Sequence, residues 1–194
     1  IDNFKPGTLE KYGFSSSFLK KKFPSLIQTK ISGFGETGPL KENPAYDMIV
    51  QAMGGIMSIT GKNKNETYRV GSSIGDIVAG LYAVIGVLTQ IIFRNQSKKG
   101  SRLDLSMLDC QVAILENAIA RYSVEKKIPY PLGTDHPSIT PFGAFKTLDG
   151  TLAIAIGNNK MFKDFCYSIK NEELHKKKKY ENNAKRNKNL SDLR

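Results

Sequence analysis

With 194 residues the chain has room for one domain or slightly more, and its 40% hydrophobic and 24% charged residues exclude a disordered segment. A formal net charge of +11 raises nucleic acid as a partner, but the excess sits in runs at Lys20–Lys22, Lys98–Lys99, Lys126–Lys127 and Lys176–Lys179, the pattern of solvated helix faces. No base-stacking aromatics or recognition motif accompany them, and the other use for scattered lysines is to attract an anionic ligand such as a nucleotide.

The first residues, Asn3 to Gly7, read as a turn punctuated by Pro6 and Gly7. Thr8 suits the cap of a short helix over Leu9 to Tyr12, and Ser15 to Ser17 start a second helix over Phe18 to Lys22 that Pro24 ends. Leu26 to Ile31 alternates apolar and polar side chains as a half-buried strand does. The glycine-rich run Ser32 to Pro39 follows it directly, the place where open α/β sheets bind ligands. Tyr46 to Gly55 predicts a helix with Met48, Ile49, Ala52 and Met53 on its inward face. Gly61 to Tyr68 is polar and predicts an exposed loop.

Ile77 to Phe93 is the longest apolar run, about seventeen residues, at the lower limit for a bilayer span. Gly80, Gly86, Thr89 and Gln90 interrupt it, so a buried helix is expected. Ser97 to Gly100 reads as a turn, Arg102 to Ser106 as a strand, and Leu108 to Tyr122 as an amphipathic helix. Pro129 to Pro141 is rich in proline and polar residues, a linker signature. Ala144 to Thr147 and Thr151 to Ile156 flank Asp149-Gly150, a hairpin signal. A helix over Asn159 to Ile169 should turn Met161, Phe162, Phe165 and Cys166 inward, and the Lys- and Asn-rich end should be helical but little buried. The expected organisation is α/β over 1–128, a linker over 129–143, and the start of a smaller α+β domain over 144–194.

Asp76 stands out on chemistry alone. It follows Gly75 and precedes the apolar helix, and a carboxylate at a helix N-terminus is favoured by backbone N–H groups and the macrodipole. From a reference pKa of about 3.9 those interactions would keep it ionised, as a nucleophilic carboxylate must be. The plainer role of such a residue is to cap the helix. Gly80 and Gly86 each cost the helix about 1 kcal/mol relative to alanine, which suits either a ligand or a neighbouring chain coming close. His136 and His175 lack metal-ligand spacing to a second His, Cys or paired acid. Neither a serine nucleophile elbow nor a P-loop is present. Cys110 and Cys166 lie in apolar-periodic segments without a CxxC partner, which argues for a reducing, intracellular compartment.

Motif order adds a further layer. Asn3-Phe4-Lys5-Pro6-Gly7, Ile31 to Pro39, Pro44-Ala45-Tyr46-Asp47 and Gln51 to Gly55 occur in series. Gly71 to Leu81 with Gly75-Asp76, Lys99-Gly100, Asp104-Leu105-Ser106 and His136 to Ile139 follow. Pro141-Phe142, Phe145 to Gly150 and Gly157-Asn158-Asn159 close the series. This succession resembles the family III CoA-transferases, the CaiB/BaiF family, over nearly the whole chain. The resemblance implies an incomplete Rossmann-like large domain, the start of the small domain, coenzyme A or acyl-CoA with a carboxylic acid as substrates, no metal, and an interlocked homodimer. It also implies Asp76 as the nucleophile that carries CoA as an aspartyl thioester, Asn3, Phe4 and Lys5 along the CoA adenosine, and Ala45, Tyr46 and Asp47 beside the thioester. Lys11 stands where the family often has arginine and would meet a CoA phosphate as a point charge.

The same fold serves α-methylacyl-CoA racemases, whose catalytic histidine would fall at Tyr46, and a tyrosine with a reference pKa of about 10 is a poor base at neutral pH. That substitution favours a transferase, and the spacing from His136 to Gly150 is most similar to members acting on short dicarboxylates. Family members run to about twice this length, and Ile1 rather than Met stands first. A central fragment is therefore expected, from a cytoplasmic or mitochondrial-matrix protein, and a non-catalytic fragment or split subunit is the third reading.

Overall fold

In the computed structural model, which describes residues 1–194, the polypeptide divides into two units, Ile1–Pro131 and Leu132–Arg194. The first is organised on two parallel strands, β1 (Ile27–Ser32) and β4 (Ser101–Ser106), paired in register from Ile27 opposite Ser101 to Ser32 opposite Ser106. Parallel strands need a long crossover, and the chain between them supplies three helices: α3 (Asp47–Met53), α4 (Ile56–Ile59) and α5 (Ile74–Ser97). Ahead of β1 come α1 (Thr8–Lys11) and α2 (Ser16–Lys22), and after β4 come α6 (Met107–Ala113) and α7 (Glu116–Glu125). On the free edge of β1, the Asp2 N–H donates to Thr29 O at 3.0 Å and the Ile31 N–H donates to Asp2 O at 3.0 Å. That short parallel bridge brings residues 3–6 alongside the carboxyl end of β1.

The core of this unit gathers Val50, Val78, Ala79, Met107 and Cys110, flanked by Ile31, Ile74 and Leu105. Its centrepiece is α5, which packs on both strands and on α3 and α6. The buried residues of α5 are small, Gly75, Val78, Ala79 and Ala83, so the helix lies close to the sheet. Its opposite side leaves Ile77, Leu81, Val84, Ile85, Leu88, Ile92 and Phe93 half exposed or more. By length and composition α5 is apolar enough to cross a membrane, with 17% of its most apolar window buried. The expected buried helix is thus buried along one stripe only.

Other expectations shift as well. The N-cap of α1 is Gly7, at φ 78°, and Thr8 lies inside the helix without capping it. By contrast Ser15 caps α2 as expected, accepting from the Phe18 N–H at 3.2 Å. In α3 the inward residues are Val50 and Gln51, whereas Met48, Ile49 and Met53 face out. Periodicity ranked the apolar side chains, but α3 meets α5 through the side carrying Gln51 and Val50. The polar segment read as a loop forms a small hairpin, β2 (Gly61–Asn63) with β3 (Glu66–Thr67). The helix expected over Leu108 to Tyr122 breaks into α6 and α7 at Glu116, whose φ is 38°.

The second unit holds the antiparallel hairpin β5 (Phe142–Lys146) and β6 (Thr151–Ala155), closed through Thr147 and Gly150 as Asp149-Gly150 predicts. Helix α8 (Asn159–Ser168) follows, capped by Asn158, then α9 (Glu173–Lys176), a 3-10 turn at Lys178–Tyr180, α10 (Asn183–Lys188) and α11 (Leu190–Leu193). Phe162 and Cys166 point inward as expected, joined by Ile156 and Tyr180, while Met161 is exposed. The lysine-rich end is better anchored than its composition suggests. Arg186 is fully buried, donating from Nε to Thr140 O at 2.8 Å and from Nη1 to Asn159 Oδ1 at 2.9 Å and Tyr180 O at 3.1 Å, over the Phe162 ring. The segment read as a linker is partly ordered into this unit: Thr134 Oγ1 accepts from the Ala144 N–H, and His136 stacks on Phe142.

Candidate functional site

A cleft of about 550 Å³ opens at the carboxyl end of β1. Its walls are residues 3–6, the end of β1 at 31–33, the loop 41–46, and Asp76, Ala79 and Gly80 from the first turns of α5, with Met107 beside them. The walls meet closely because Gly33 has no side chain: a Cβ there would lie 2.5 Å from that of Ala45. The Gly33 carbonyl also accepts from the Leu108 N–H at 3.1 Å, which ties α6 to the strand end. Beyond it the glycine-rich loop is pinned outward. Its Glu36 N–H donates to Asp104 at 2.8 Å, and the Glu36 carboxylate pairs with Arg102.

Asp76 is the third residue of α5, after the N-cap Ser73. Its side chain is exposed to the cleft. Burial, and after it the charge of Asp47, push its carboxyl above the usual carboxylate range. The expected pull of the helix terminus toward ionisation is therefore opposed locally.

Of the residues singled out from the sequence, Asn3, Phe4, Lys5, Ala45, Tyr46 and Asp76 line this one cleft. Lys11 does not; it lies exposed on the last turn of α1. Asp47 is also absent from the lining. Its Oδ1 accepts from the Gly75 N–H at 2.8 Å and its Oδ2 from Gln51 Nε2 at 2.8 Å, so both oxygens are engaged behind the wall rather than facing a thioester. Sequence reasoning missed Lys41, Glu42 and Asn43, which stand on the rim, because an exposed polar loop carries no periodic signal. It also missed Gln51 and Gln111, both fully buried amides. Gln111 lies against Gly54 and Gly75, and neither its nitrogen nor its oxygen has a hydrogen-bond partner.

Neither histidine stands on this cleft. His136 Nδ1 accepts from the Ser138 and Ile139 N–H groups at 3.1 Å each, a turn-stabilising role, and His175 stacks on Tyr167. Both cysteines are free and buried, and burial pushes their thiols up, away from thiolate chemistry.

The first unit is thus a parallel-sheet α/β fold with a carboxylate at a helix start, facing a cleft at the strand ends. The family model for CoA-transferase family III matches residues 1–194, and the chain belongs to that family. Among curated relatives, the acetyl-CoA:oxalate CoA-transferase of Acetobacter aceti is 40% identical over 174 residues, 89% of this chain and 45% of that protein. The succinyl-CoA:glutarate CoA-transferase of Mus musculus is 36% identical over 193 residues, 100% of this chain and 44% of that protein. A solved CaiB/BaiF family protein from Brucella suis superposes with a TM-score of 0.85 at 37% identity, covering 98% of this chain and 50% of that one. The fold is therefore the expected mixed α/β one, incomplete. The chain spans under half the length of these curated relatives.

Proposed function

We propose that this chain is the central part of a CoA-transferase that moves coenzyme A between short dicarboxylic acids, with Asp76 as the nucleophile. The observation that carries the reading is the cleft itself: one cavity brings the segment assigned to CoA, residues 3–5, and the segment assigned to the thioester, Ala45 and Tyr46, to the Asp76 carboxylate. In the reaction, an Asp76 oxygen attacks the carbonyl carbon of a donor acyl-CoA. The oxyanion collapses by breaking the C–S bond, giving a mixed anhydride and CoA thiolate. The thiolate then attacks the Asp76 carbonyl carbon, releasing the donor carboxylate and leaving an aspartyl-CoA thioester. An acceptor carboxylate attacks that thioester and expels CoA thiolate, giving a second mixed anhydride. The thiolate then attacks the acceptor's carbonyl carbon, forming acceptor acyl-CoA and freeing the Asp76 carboxylate. No proton is gained or lost overall, which fits a cleft without a histidine. Each oxyanion would draw on backbone N–H donors.

In this reading the first unit is part of the large CoA-binding domain and the second begins the small one. CoA's adenosine lies along Asn3, Phe4 and Lys5, and Lys11 on the adjoining helix meets a phosphate. Asp47 supports the site from behind rather than bordering the thioester. Oxalate and glutarate, named in the relatives, are the acceptor class the dicarboxylate reading draws on. The full-length protein is an intracellular homodimer, and its remaining chain covers the open side of α5. The deciding experiment incubates full-length protein with succinyl-CoA, traps with hydroxylamine or borohydride, and maps the modified residue. Modification at Asp76, lost in Asp76→Asn together with CoA exchange, is the expected result. Full exchange in Asp76→Ala would sink the proposal, and deuterium wash-in at the α-carbon without exchange would point to the racemase chemistry instead.

A further inference from the structure

Asp76 has no hydrogen bond holding down its carboxyl group, so its placement depends on the backbone that carries it. That backbone is anchored one residue earlier. Gly75 is buried, its N–H donates to Asp47 Oδ1, and a Cβ at Gly75 would stand 2.6 Å from Val50 Cγ2 and 3.0 Å from Asp47 Oδ1. The other Asp47 oxygen is held by Gln51, one helical turn further along α3 and fully buried. Gln51 Oε1 accepts from the Val70 N–H at 2.8 Å, and Nε2 also approaches the Val70 and Ser72 carbonyls at 3.4 Å each. One neutral amide thus ties α3, the strap entering α5, and the carboxylate under Gly75.

We propose that Gln51 is a positioning residue for the transfer at Asp76: by occupying Asp47 Oδ2 it keeps Oδ1 on the Gly75 N–H, fixing the peptide that carries the nucleophile. The inference rests on the reading of Asp76 given above. Its second consequence is electrostatic. An Asp47 released from Gln51 would be free to turn its charge toward the cleft, where the acceptor is itself an anion and like charges repel. A glutamine is suited to the task because it offers a donor to Asp47 and an acceptor to Val70 at once, which neither a carboxylate nor an alkyl chain does.

The test uses Gln51→Leu and Gln51→Glu in the full-length protein, beside Asp76→Asn. Gln51→Leu is expected to lower kcat about 100-fold, the scale of a misplaced reacting group, and to raise KM for the acceptor acid while KM for the acyl-CoA stays within about threefold. Gln51→Glu keeps the size and the acceptor but sets a charge against Asp47. The charged groups around position 51 are then Asp47 on α3, Asp76 beyond Gly75 on α5, and Arg69 on the strap, whose Nη1 donates at 3.2 Å to the Val70 carbonyl that Gln51 Nε2 approaches, with neutral Gln111 from α6. The activity of this variant relative to the unmodified protein should therefore recover as pH falls and the introduced carboxyl gains a proton to donate. A lower unfolding midpoint with kcat unchanged, or a Gln51→Glu defect that ignores pH, would make Gln51 a core amide only and overturn the inference. If Gln51→Leu fails to fold, the isosteric Gln51→Glu decides alone. Activity retained in Asp76→Asn would instead defeat the reading of Asp76 on which this one stands.

Discussion

Replacing Gly80 by alanine separates the two explanations for a glycine inside α5. Asp76 and Gly80 are four residues apart and so share a helix face. A Cβ built at Gly80 meets nothing within 4 Å, and Gly80 lines the cleft. In an open helix position alanine is more stable than glycine by about 1 kcal/mol, part of it through the unfolded chain. With a urea slope of about 1–3 kcal/mol/M, the unfolding midpoint should rise by roughly 0.3–1 M. The same methyl enters the cleft that Asp76 lines, where the proposed reaction brings the thioester, and a clash of about 1–3 kcal/mol would weaken acyl-CoA binding roughly 5- to 150-fold. Gly86→Ala is the control: its Cβ would lie 3.2 Å from the flexible end of Leu103, away from the cleft. It should gain less stability and leave binding alone. Urea denaturation and calorimetric titration with succinyl-CoA read both outcomes. A Gly80→Ala that binds acyl-CoA normally would show that no ligand passes over these turns, and a destabilised one would show a neighbouring chain packed there instead.

The remaining outcomes concern stability. Gln111→Met replaces a fully buried, unpartnered amide with an apolar chain of similar length and should stabilise the first unit by about 1–3 kcal/mol, seen as a higher urea midpoint; a loss would mean the amide is bonded in solution. Because the Asp76 carboxyl titrates above its unfolded value, the folded chain binds more protons than the unfolded one between those two values, so stability falls as pH rises through that window. Asp76→Asn should therefore be more stable than the unmodified chain at neutral pH and lose that advantage at about pH 3, below the ordinary carboxylate range; a difference that ignores pH would contradict the direction of the shift. Leu88, 55% exposed on the open side of α5, gives opposite results in two settings. Leu88→Glu should reduce self-association of the 194-residue chain in sedimentation, yet destabilise the full-length protein by at least the roughly 1.5–3 kcal/mol of a buried leucine; equal full-length stability would mean the face stays uncovered.

Local signals carried much of this fold. The alternation in β1 and β4, the Ser15 cap, the Asp149-Gly150 turn and the start of α5 just before Asp76 depend on neighbours in sequence, and each element forms close to its expected place. What failed depends on partners distant in sequence. Periodicity places Met48, Ile49, Ala52 and Met53 on the inward face of α3, but the face that meets α5 carries Val50 and Gln51. Hydrophobicity ranks side chains by transfer cost, whereas a buried glutamine is tolerated once its hydrogen bonds are made, and those bonds run to residues 70 and 72, invisible to any helical window. Arg186 was hidden in the same way, a cation in a lysine-rich tail whose three acceptors come from three separate segments. In the cleft, Asp76 was legible from its position ahead of an apolar helix, while the engagement of Asp47 by Gly75 and Gln51 was not.

The two faces of α5 explain why a single helix could be read as a buried helix and also resemble a membrane span. Its sheet-facing stripe is made of glycine, alanine and valine, residues whose small size lets the backbone approach the strands and so brings Asp76 down to the mouth of the β1–β4 sheet. The large apolar residues were left for the other face, where they contribute nothing to this pair of strands. A parallel sheet is stable when both its faces and its helices are covered, and two strands with one bridged edge fall short of that. The distribution of side-chain size along α5 therefore separates two demands: the small residues set the position of Asp76, and the large ones, in the proposed full-length enzyme, meet the part of the chain that completes the domain.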